Sequence, residues 1–405
     1  MNTLKHVDLV EWIVAQGLAG QPETRLFAEI CKRLSADGLP LLRANIHVSA
    51  LHPVIGGHLF IWWRGDQEAL REDWRRADAV LRSGQLSPFE SMILNNQEAL
   101  RLRLDREETA AAFPLFERLR QRGGTDYLAM QVRFGQDRAF GPVDRVLFSW
   151  LTDLPDGFQA AHLEELRRIM PSLALAVKAA SGHRVANDVI ETYLGRDAAQ
   201  RVLKGDIERG MGETIRAALW YCDLKGFTRL SDTVPRDHLL AMLDEYFEVM
   251  VTTLHEFQGQ VLKFTGDGLL AIFNLEDDPA SCRAAHAAAE QVTSRIDALS
   301  AERATAGLPV SDFRIGLHLG EVLFGNVGAR GRLDFTVVGP AVNEVSRIEA
   351  MCRPLEQRLL ISSTFARVPT DLSDNLVSLG RYALRGVRQP QELFTLAPPP
   401  DEDIV

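Results

Sequence analysis

Cysteine is scarce in this chain of 405 residues: Cys31, Cys222, Cys282 and Cys352 are widely scattered and form no CxxC pair. That scarcity argues against a disulfide framework or a structural zinc site and favours a reducing, cytoplasmic setting. Long apolar runs are missing as well. No stretch of about eighteen apolar residues occurs, so no transmembrane helix and no membrane insertion are expected. Basic charge is not in excess either, with 45 Lys and Arg against 55 Asp and Glu. This balance argues against a nucleic-acid binder and a polybasic membrane anchor. A polyphosphate approaching so acidic a chain would need a divalent cation beside it. The opening residues, MNTLKHVDLVEWIVAQG, carry acids within their apolar pattern and no small-residue cleavage site, so they do not read as a secretion signal. What is present is globular in type, 46% apolar and 25% charged, and long enough for two or three domains.

The first half reads as a mixed α/β domain over 1–180. A helical apolar period runs from Leu9 to Leu34, broken near Gly17 to Pro22. Two β-rich runs follow, Ala44–Leu51 and His58–Trp63, joined by the turn-like HPVIGG. Residues 65–122 are polar and read as partly helix and partly loop. Two more β runs, Tyr127–Phe134 and Val146–Leu151, lead through the turn PDG into a long helix with Leu163, Leu166, Ile169, Leu173 and Val177 in phase. This order suits an antiparallel sheet covered by helices. His47, His52 and His58 match no metal-ligand spacing and read as core or surface histidines. Of the adjacent Trp62 and Trp63, one ring should pack inward. Residues 181–212 then read as a helical connector, with Gly195 as a helix stop and RDAAQRVLKGDIERGMGE outside any core.

The second half, 213–396, is more regular. Ile215–Cys222 is predicted as a strand and Pro235–Phe257 as an amphipathic helix. A hairpin is centred on Asp267, and Ala280–Leu299 forms an Ala-rich helix. Phe313–Leu319 reads as a strand, with a Gly-punctuated turn before Val322–Gly325. Asp334–Val338 is another strand, and Pro340–Cys352 a helix with Pro in its first turn. The order β-α-β-β-α-β is that of ferredoxin-like α+β folds. Residues 397–405, ending PPPDEDIV, are expected to be a disordered tail.

Two acids punctuate this half. Asp223 closes an apolar run in YCDLKGFT, and Asp267 sits between Gly266 and Gly268 in KFTGDGLLAIF. Glycines on both sides suit the positive φ angles of a two-residue turn. Taken singly, each Asp is better explained as a turn residue. Taken as neighbours, they converge two carboxylates on one spot, the donor set of a hard divalent cation that also holds substrate phosphates. Gly226 lets the backbone approach a ligand, and the N–H groups of Phe227 and Thr228 open a helix whose N-terminus suits anionic oxygens. Asn343 and Arg347, four apart on a helix, share one face and suit stabilisation of a transferring phosphoryl group, or else form an exposed polar stripe with ion pairs to Glu344 or Glu349. Lys263 interrupts VLKF on the strand leading to Asp267 and needs a partner or a ligand if buried. Thr336 in DFTVV also fits as an ordinary strand former.

Together DLKGFT, KFTGDGLLAIF, FTVVGPAVNEVSRIE and RYALRGVRQPQELF resemble a class III nucleotide cyclase, in order and spacing over residues 213–396. The resemblance implies a homodimer with catalytic sites shared across the subunit interface. It implies two Mg²⁺ or Mn²⁺ ions per site on Asp223 and Asp267, with Leu224 in the same metal set. One ion would activate the ribose 3′-hydroxyl, and the other would neutralise the departing pyrophosphate. Lys263 and Thr336 fall at the positions that read the purine, Asn343 and Arg347 at those that orient the ribose and stabilise the transition state. Arg385 falls where the family often has a triphosphate-contacting Lys, which would add to the phosphate cradle read above for Gly226, Phe227 and Thr228. Many relatives have Asp at the position of Thr336, whereas a bacterial subgroup has Thr. Lys with Thr is similar to an adenine reader, which favours ATP and an adenylate cyclase. A guanylate cyclase or a catalytically silent nucleotide-binding module are the alternatives. Some members of the Thr subgroup respond to bicarbonate. The first half resembles a GAF-type sensor, which implies a regulatory domain for an unknown small molecule or protein.

Overall fold

The computed structural model describes residues 3–76, 86–106, 112–135, 144–369, 371–372 and 375–397. The chain divides into two compact units, Met1–Thr192 and Tyr193–Val405.

The first unit begins with helices α1 (Thr3–Leu18) and α2 (Glu23–Ala36). Strands β1 (Arg43–Ser49), β2 (Ile55–Trp63) and β3 (Leu70–Arg75) come next, then α3 (Pro88–Leu94), β4 (Ala99–Arg103) and α4 (Pro114–Gln121). It closes with β5 (Asp126–Arg133), β6 (Arg145–Thr152) and the long α5 (Ala160–Leu194), whose last residues pass into the second unit. The strands form an antiparallel sheet in the order β3-β2-β1-β6-β5-β4. Period-two alternation assigns its faces. Val146, Phe148 and Trp150 pack with Phe27, Ile30, Leu166 and Leu173 of α2 and α5, whereas Leu147 and Leu151 pack with Met92, Phe116 and Leu119 of α3 and α4. Trp62 points inward, while Trp63 lies beneath the Arg43 and Arg122 guanidinium groups.

One expectation fails here. The stretch 65–122, read as helix and loop, contains the strands β3 and β4. Their sequences, LREDWR and ALRLR, show little apolar alternation because both lie at the edges of the sheet, where side chains meet water.

The second unit starts with α6 (Arg196–Lys204), β7 (Gly212–Lys225), α7 (Phe227–Thr233), α8 (Arg236–Glu256), β8 (Gln260–Phe264) and β9 (Gly268–Phe273). It continues with α9 (Asp278–Thr305), β10 (Asp312–Ala329), β11 (Arg332–Val338) and α10 (Pro340–Met351). The last elements are β12 (Leu359–Ser362), α11 (Ser363–Ala366), β13 (Leu376–Tyr382) and β14 (Gln391–Leu396). The βαββαβ core, β7-α8-β8-β9-α9-β10, is antiparallel in the order β10-β7-β9-β8, the ferredoxin-like arrangement. β12, β14 and β13 extend the sheet beyond β10, and β11 pairs with the far end of β10.

Alternation along β7 divides the two faces of this sheet. Ala218, Trp220, Cys222 and Leu224 pack against Met242, Tyr246 and Met250 of α8 and Ala285, Ala289 and Val292 of α9. Ala217 and Leu219 face the other way, towards Ala341 and Val345 of α10 and Ala198 of α6. Close approach of α10 depends on glycine. A Cβ at Gly316 would stand 2.8 Å from the Val345 carbonyl oxygen, and one at Gly320 would stand 2.6 Å from the Ala341 Cβ. Both distances are shorter than a real contact allows.

Two further expectations are corrected, and the one for the turn at Asp267 holds. Phe313–Leu319 and Val322–Gly325 are one uninterrupted strand, because Gly320 is the close-packing point under α10, not a turn. The connector is not outside the core, since Ala198 and Ala199 of α6 are buried. The hairpin at Asp267 is the two-residue turn expected: the Thr265 N–H donates to the Gly268 carbonyl oxygen at 2.8 Å across Gly266 and Asp267, and Gly266 takes the positive φ (+76°). Of the expected tail, residues 398–405 lie outside the described residues. Among the described residues no helix is long and apolar enough to cross a membrane.

Candidate active site

Antiparallel pairing of β7 with β9 sets Asp223 opposite Gly268, one residue from Asp267. The Leu224 N–H donates to the Asp267 carbonyl oxygen at 3.3 Å, which ties the two strand ends together. Glycine is needed at 268 for space: a Cβ there would meet the Cys222 carbonyl oxygen at 2.2 Å and Asp223 Oδ1 at 3.1 Å. The two carboxylates come within proton-sharing reach. Burial, then the charge of Asp267, pushes the Asp223 carboxyl up to about 6, against the opposing pull of Arg314. Like charges held this close are the signature of a site that gains by taking up a cation. Hard oxygen donors with a mutual repulsion to relieve fit a divalent metal of the Mg²⁺ or Mn²⁺ type. Leu224 buries its side chain among the α8 and α9 residues, so only its main chain is available beside the pair. Among the described residues no group of three or more His, Cys, Asp or Glu is arranged to hold a metal by itself. The site therefore offers two carboxylates, with further ligands to come from elsewhere.

Two residues join this acidic pair that the sequence did not single out for it. Arg314 stands directly opposite Asp223 on β10. Glu349 of α10, expected at most as a surface ion-pair partner, is 7% exposed. Burial first, and then the charge of Asp223, pushes its carboxyl up to about 7, with Arg314 opposing. A signal for Glu349 exists in the sequence. It falls within the stripe Val345, Ile348 and Cys352 that α10 buries, and a carboxylate in a buried stripe needs a reason. Tyr221, whose hydroxyl lies 3.4 Å from Thr265 Oγ1, is held above its ordinary range by burial, with the same three carboxylates adding to the effect.

Of the other expected residues, Gly226, Phe227 and Thr228 follow Asp223 closely in the chain, and the rest lie elsewhere in the unit. Gly226 takes the left-handed conformation (φ +74°) that starts α7, and the N–H groups of Arg229 and Leu230 donate to its carbonyl oxygen. Phe227 and Thr228 occupy the first turn; Phe227 leans on the core and Thr228 is exposed. Lys263, considered for burial, is exposed and stands opposite Leu270, whose side chain lies on the α10 face. Thr336 is 6% exposed, opposite Gly325, and its Oγ1 is buried with no hydrogen-bond partner. Strand β11 lies alongside β8, so the strands bearing Lys263 and Thr336 are neighbours. Asn343 and Arg347 are both exposed on one face of α10, opposite its buried stripe. Arg385 is exposed in the turn after β13. Among the described residues, Lys263, Arg347 and Arg385 have no ion-pair partner.

The geometry is therefore a sheet end with two paired carboxylates, with Arg314 opposite one of them and the buried Glu349 close enough for its charge to be felt. Residues 211–398 match the family described as the adenylate and guanylate cyclase catalytic domain, and this part of the chain is such a domain. The chain is 31% identical to an adenylate cyclase of Anabaena cylindrica over 162 residues, which is 40% of this chain and 32% of that protein. It is also 31% identical over 240 residues to an uncharacterised protein of Mycobacterium tuberculosis, 58% of this chain and 40% of that one. It spans less than half the length of these curated relatives. Among solved structures, the adenylyl cyclase CyaB from P. aeruginosa aligns over 47% of this chain and 97% of that chain, at 22% identity and a TM-score of 0.43. The guanylyl cyclase Cya2 aligns over the same shares, at 25% identity and a TM-score of 0.41.

Proposed function

We propose that this protein is an adenylate cyclase, converting ATP to 3′,5′-cyclic AMP and pyrophosphate at sites shared between two copies of the chain. The observation that carries the reading is the convergence of Asp223 and Asp267 in a cyclase catalytic domain, with their repulsion held in place by Gly268. Asp223 and Asp267 would hold the divalent ions, Mg²⁺ or Mn²⁺, beside the main chain of Leu224. Those ions supply Lewis acidity to the 3′-hydroxyl and charge neutralisation to the phosphates. Gly226, Phe227 and Thr228 present main-chain donors at a helix start to the triphosphate, and Arg385 adds a positive charge there.

In the reaction the ribose O3′ forms a bond to the α-phosphorus, and the bond from that phosphorus to the pyrophosphate oxygen breaks. Asn343 and Arg347, exposed and unengaged within their own unit, serve the partner's site: the amide orients the ribose and the guanidinium stabilises charge on the phosphorane. The homodimer follows from that division of labour. Adenine is favoured by Lys263 and Thr336. The Thr336 Oγ1, buried and unpartnered, is suited to accept from the N6 amine while Lys263 donates to N1. The first unit is read as a GAF-like sensor on the strength of its sheet order, β3-β2-β1-β6-β5-β4, and its long closing helix. The test is turnover of ATP and of GTP by the purified chain with Mg²⁺ or Mn²⁺, with identification of the product. Cyclic AMP, with a clear preference for ATP, is expected. Preferential cyclic GMP would make it a guanylate cyclase, and no cyclic nucleotide from either would end the catalytic reading.

A further inference from the structure

The connector helix α6 is fastened to the arm of strands that carries one expected base reader, Thr336. Its Arg201 guanidinium lies over two rings, 5.0 Å from the Phe324 centroid and 5.8 Å from that of Phe335. Those rings meet edge to face with centroids 4.8 Å apart. The same guanidinium pairs with Glu213 at 2.8 Å and with Asp197 at 3.3 Å. One side chain thus links α6 to β7, β10 and β11, and Phe335 is the residue before Thr336.

A second attachment follows in the chain. Asn326 Nδ2 donates to the Asp206 carbonyl oxygen at 2.7 Å, the Gly210 N–H donates to the Asn326 carbonyl oxygen at 3.1 Å, and the Asn326 N–H donates to that of Met211 at 3.0 Å. Asn326 stands opposite Phe335, and Gly325 opposite Thr336. Gly325 has to be glycine for the connector to sit there, since a Cβ would meet the Met211 carbonyl oxygen at 2.2 Å. The main chain of the connector therefore presses on the residue paired with Thr336.

The first turn of α6 is packed differently. It borders a cleft of about 300 Å³ that also touches Gln260, Val261 and Leu262 of β8 and Phe324 of β10. Within that cleft Gln260 Oε1 is buried without a hydrogen-bond partner, and Asp197 Oδ2 has only the 3.3 Å ion pair to Arg201. The helix is entered through Gly195 at φ +81°, a conformation that breaks the run of α5. The helix thus spans β8, which bears Lys263, and the β10–β11 arm, which bears Thr336. It is clamped to the arm and loosely packed towards β8.

We propose that α6, with Arg201 as its main positioning residue, sets the placement of β11 relative to β8 and so the distance between the two base-reading side chains. A displacement of α6 then changes purine affinity and discrimination before it changes the chemical step. The functional part of this inference rests on the adenylate cyclase reading; the mechanical part does not.

The experiment is amide hydrogen exchange on the full chain, Arg201→Ala against the unaltered protein, together with steady-state kinetics for ATP and GTP. Exchange in residues 332–338 should quicken about fivefold, the scale of losing a half-exposed cation–π contact, while exchange in β9 stays the same. KM for ATP should rise several-fold with kcat changed less, and the ATP-to-GTP ratio of kcat/KM should narrow. Arg201→Lys should recover only part of this, because it keeps a charge for Glu213 but loses the planar stack. If Arg201→Ala does not fold, Phe335→Leu carries the same expectations. Unchanged exchange in 332–338 would overturn the clamp whether or not the chain makes cyclic nucleotide. Quickened exchange with unchanged KM and purine ratio would overturn its role in base reading. Absence of turnover in the unaltered protein would instead remove the cyclase reading and leave exchange to decide the clamp.

Discussion

The two units bury carboxylates in opposite ways. In the first, Asp126 is fully buried and satisfied: it accepts from the Arg101 guanidinium at 2.7 Å and from the Phe158 N–H at 2.8 Å. Glu23, also buried, pairs with Arg184. In the second, Asp223, Asp267 and Glu349 face one another with Arg314 as the opposing charge. Paired acids hold a structure together, whereas gathered acids without enough counter-charge lower stability and await a ligand. The contrast separates a scaffold from a site without reference to any relative.

The largest expected effect tests that contrast in the second unit. Asp223→Ala or Asp267→Ala should lower cyclic nucleotide formation by at least about 10³-fold, at the upper end for losing one charge-stabilising group. Thermal unfolding without metal should show no loss of stability, because the change removes a repulsion. A variant that keeps its activity, or one that unfolds, would erase the distinction. In the first unit the corresponding change, Asp126→Asn, should have the opposite signature. It should cost about 3 kcal/mol of stability in urea denaturation by leaving Arg101 and a buried N–H poorly matched. A loss below about 1 kcal/mol would mean the pair is not structural.

Acid should weaken the first unit through His47, whereas in the second the same loss at His318 is offset by Asp223 and Glu349, whose raised carboxyls favour the fold as they take up protons over the same range. Trp74 Nε1 donates to His47 Nε2 at 3.0 Å in the first, which requires that nitrogen unprotonated, and His318 Nδ1 lies 2.9 Å from Ser362 Oγ in the second. Burial holds both imidazoles down to about 4. A folded value below the ordinary 6.5 means the fold prefers neutral histidine. The stability this provides is complete above about pH 6.5 and is lost as pH falls towards 4, by about 3 kcal/mol per histidine. Urea midpoints at pH 7 and pH 5 check the sign, and His47→Gln should flatten the dependence of the first unit only. The smallest effect is expected at Gly266. Its φ of +76° makes Gly266→Ala cost about 1–2 kcal/mol of local stability at the Asp267 turn. A variant as stable as the unaltered chain would show that the turn can relax.

Much of the second unit was legible in the sequence because its signals are local. Amphipathic periods marked α8 and α9, apolar runs marked β7 and β9, and each Asp ended or divided such a run. What stayed hidden depends on pairing. Arg314 meets Asp223 only through the register of β7 and β10, and Glu349 reaches them only because Gly316 and Gly320 admit α10 to the sheet. Gly320 looked like punctuation in the sequence and Gly316 like an ordinary strand position, yet both act as packing surfaces in the fold. The edge strands β3 and β4 stayed hidden for the converse reason: polar on most sides, they carry little periodicity. Arg201 was one charge among several in a connector, and its role emerges only when Phe324 and Phe335 are brought beneath it.

The most direct measurement is product formation from ATP by the purified chain with Mn²⁺, side by side with Asp223→Ala and Asp126→Asn under conditions where all three are folded. The account predicts cyclic AMP from the unaltered chain, essentially none from Asp223→Ala, and substantial activity from Asp126→Asn. Equal activity in the unaltered and Asp223→Ala proteins would contradict it.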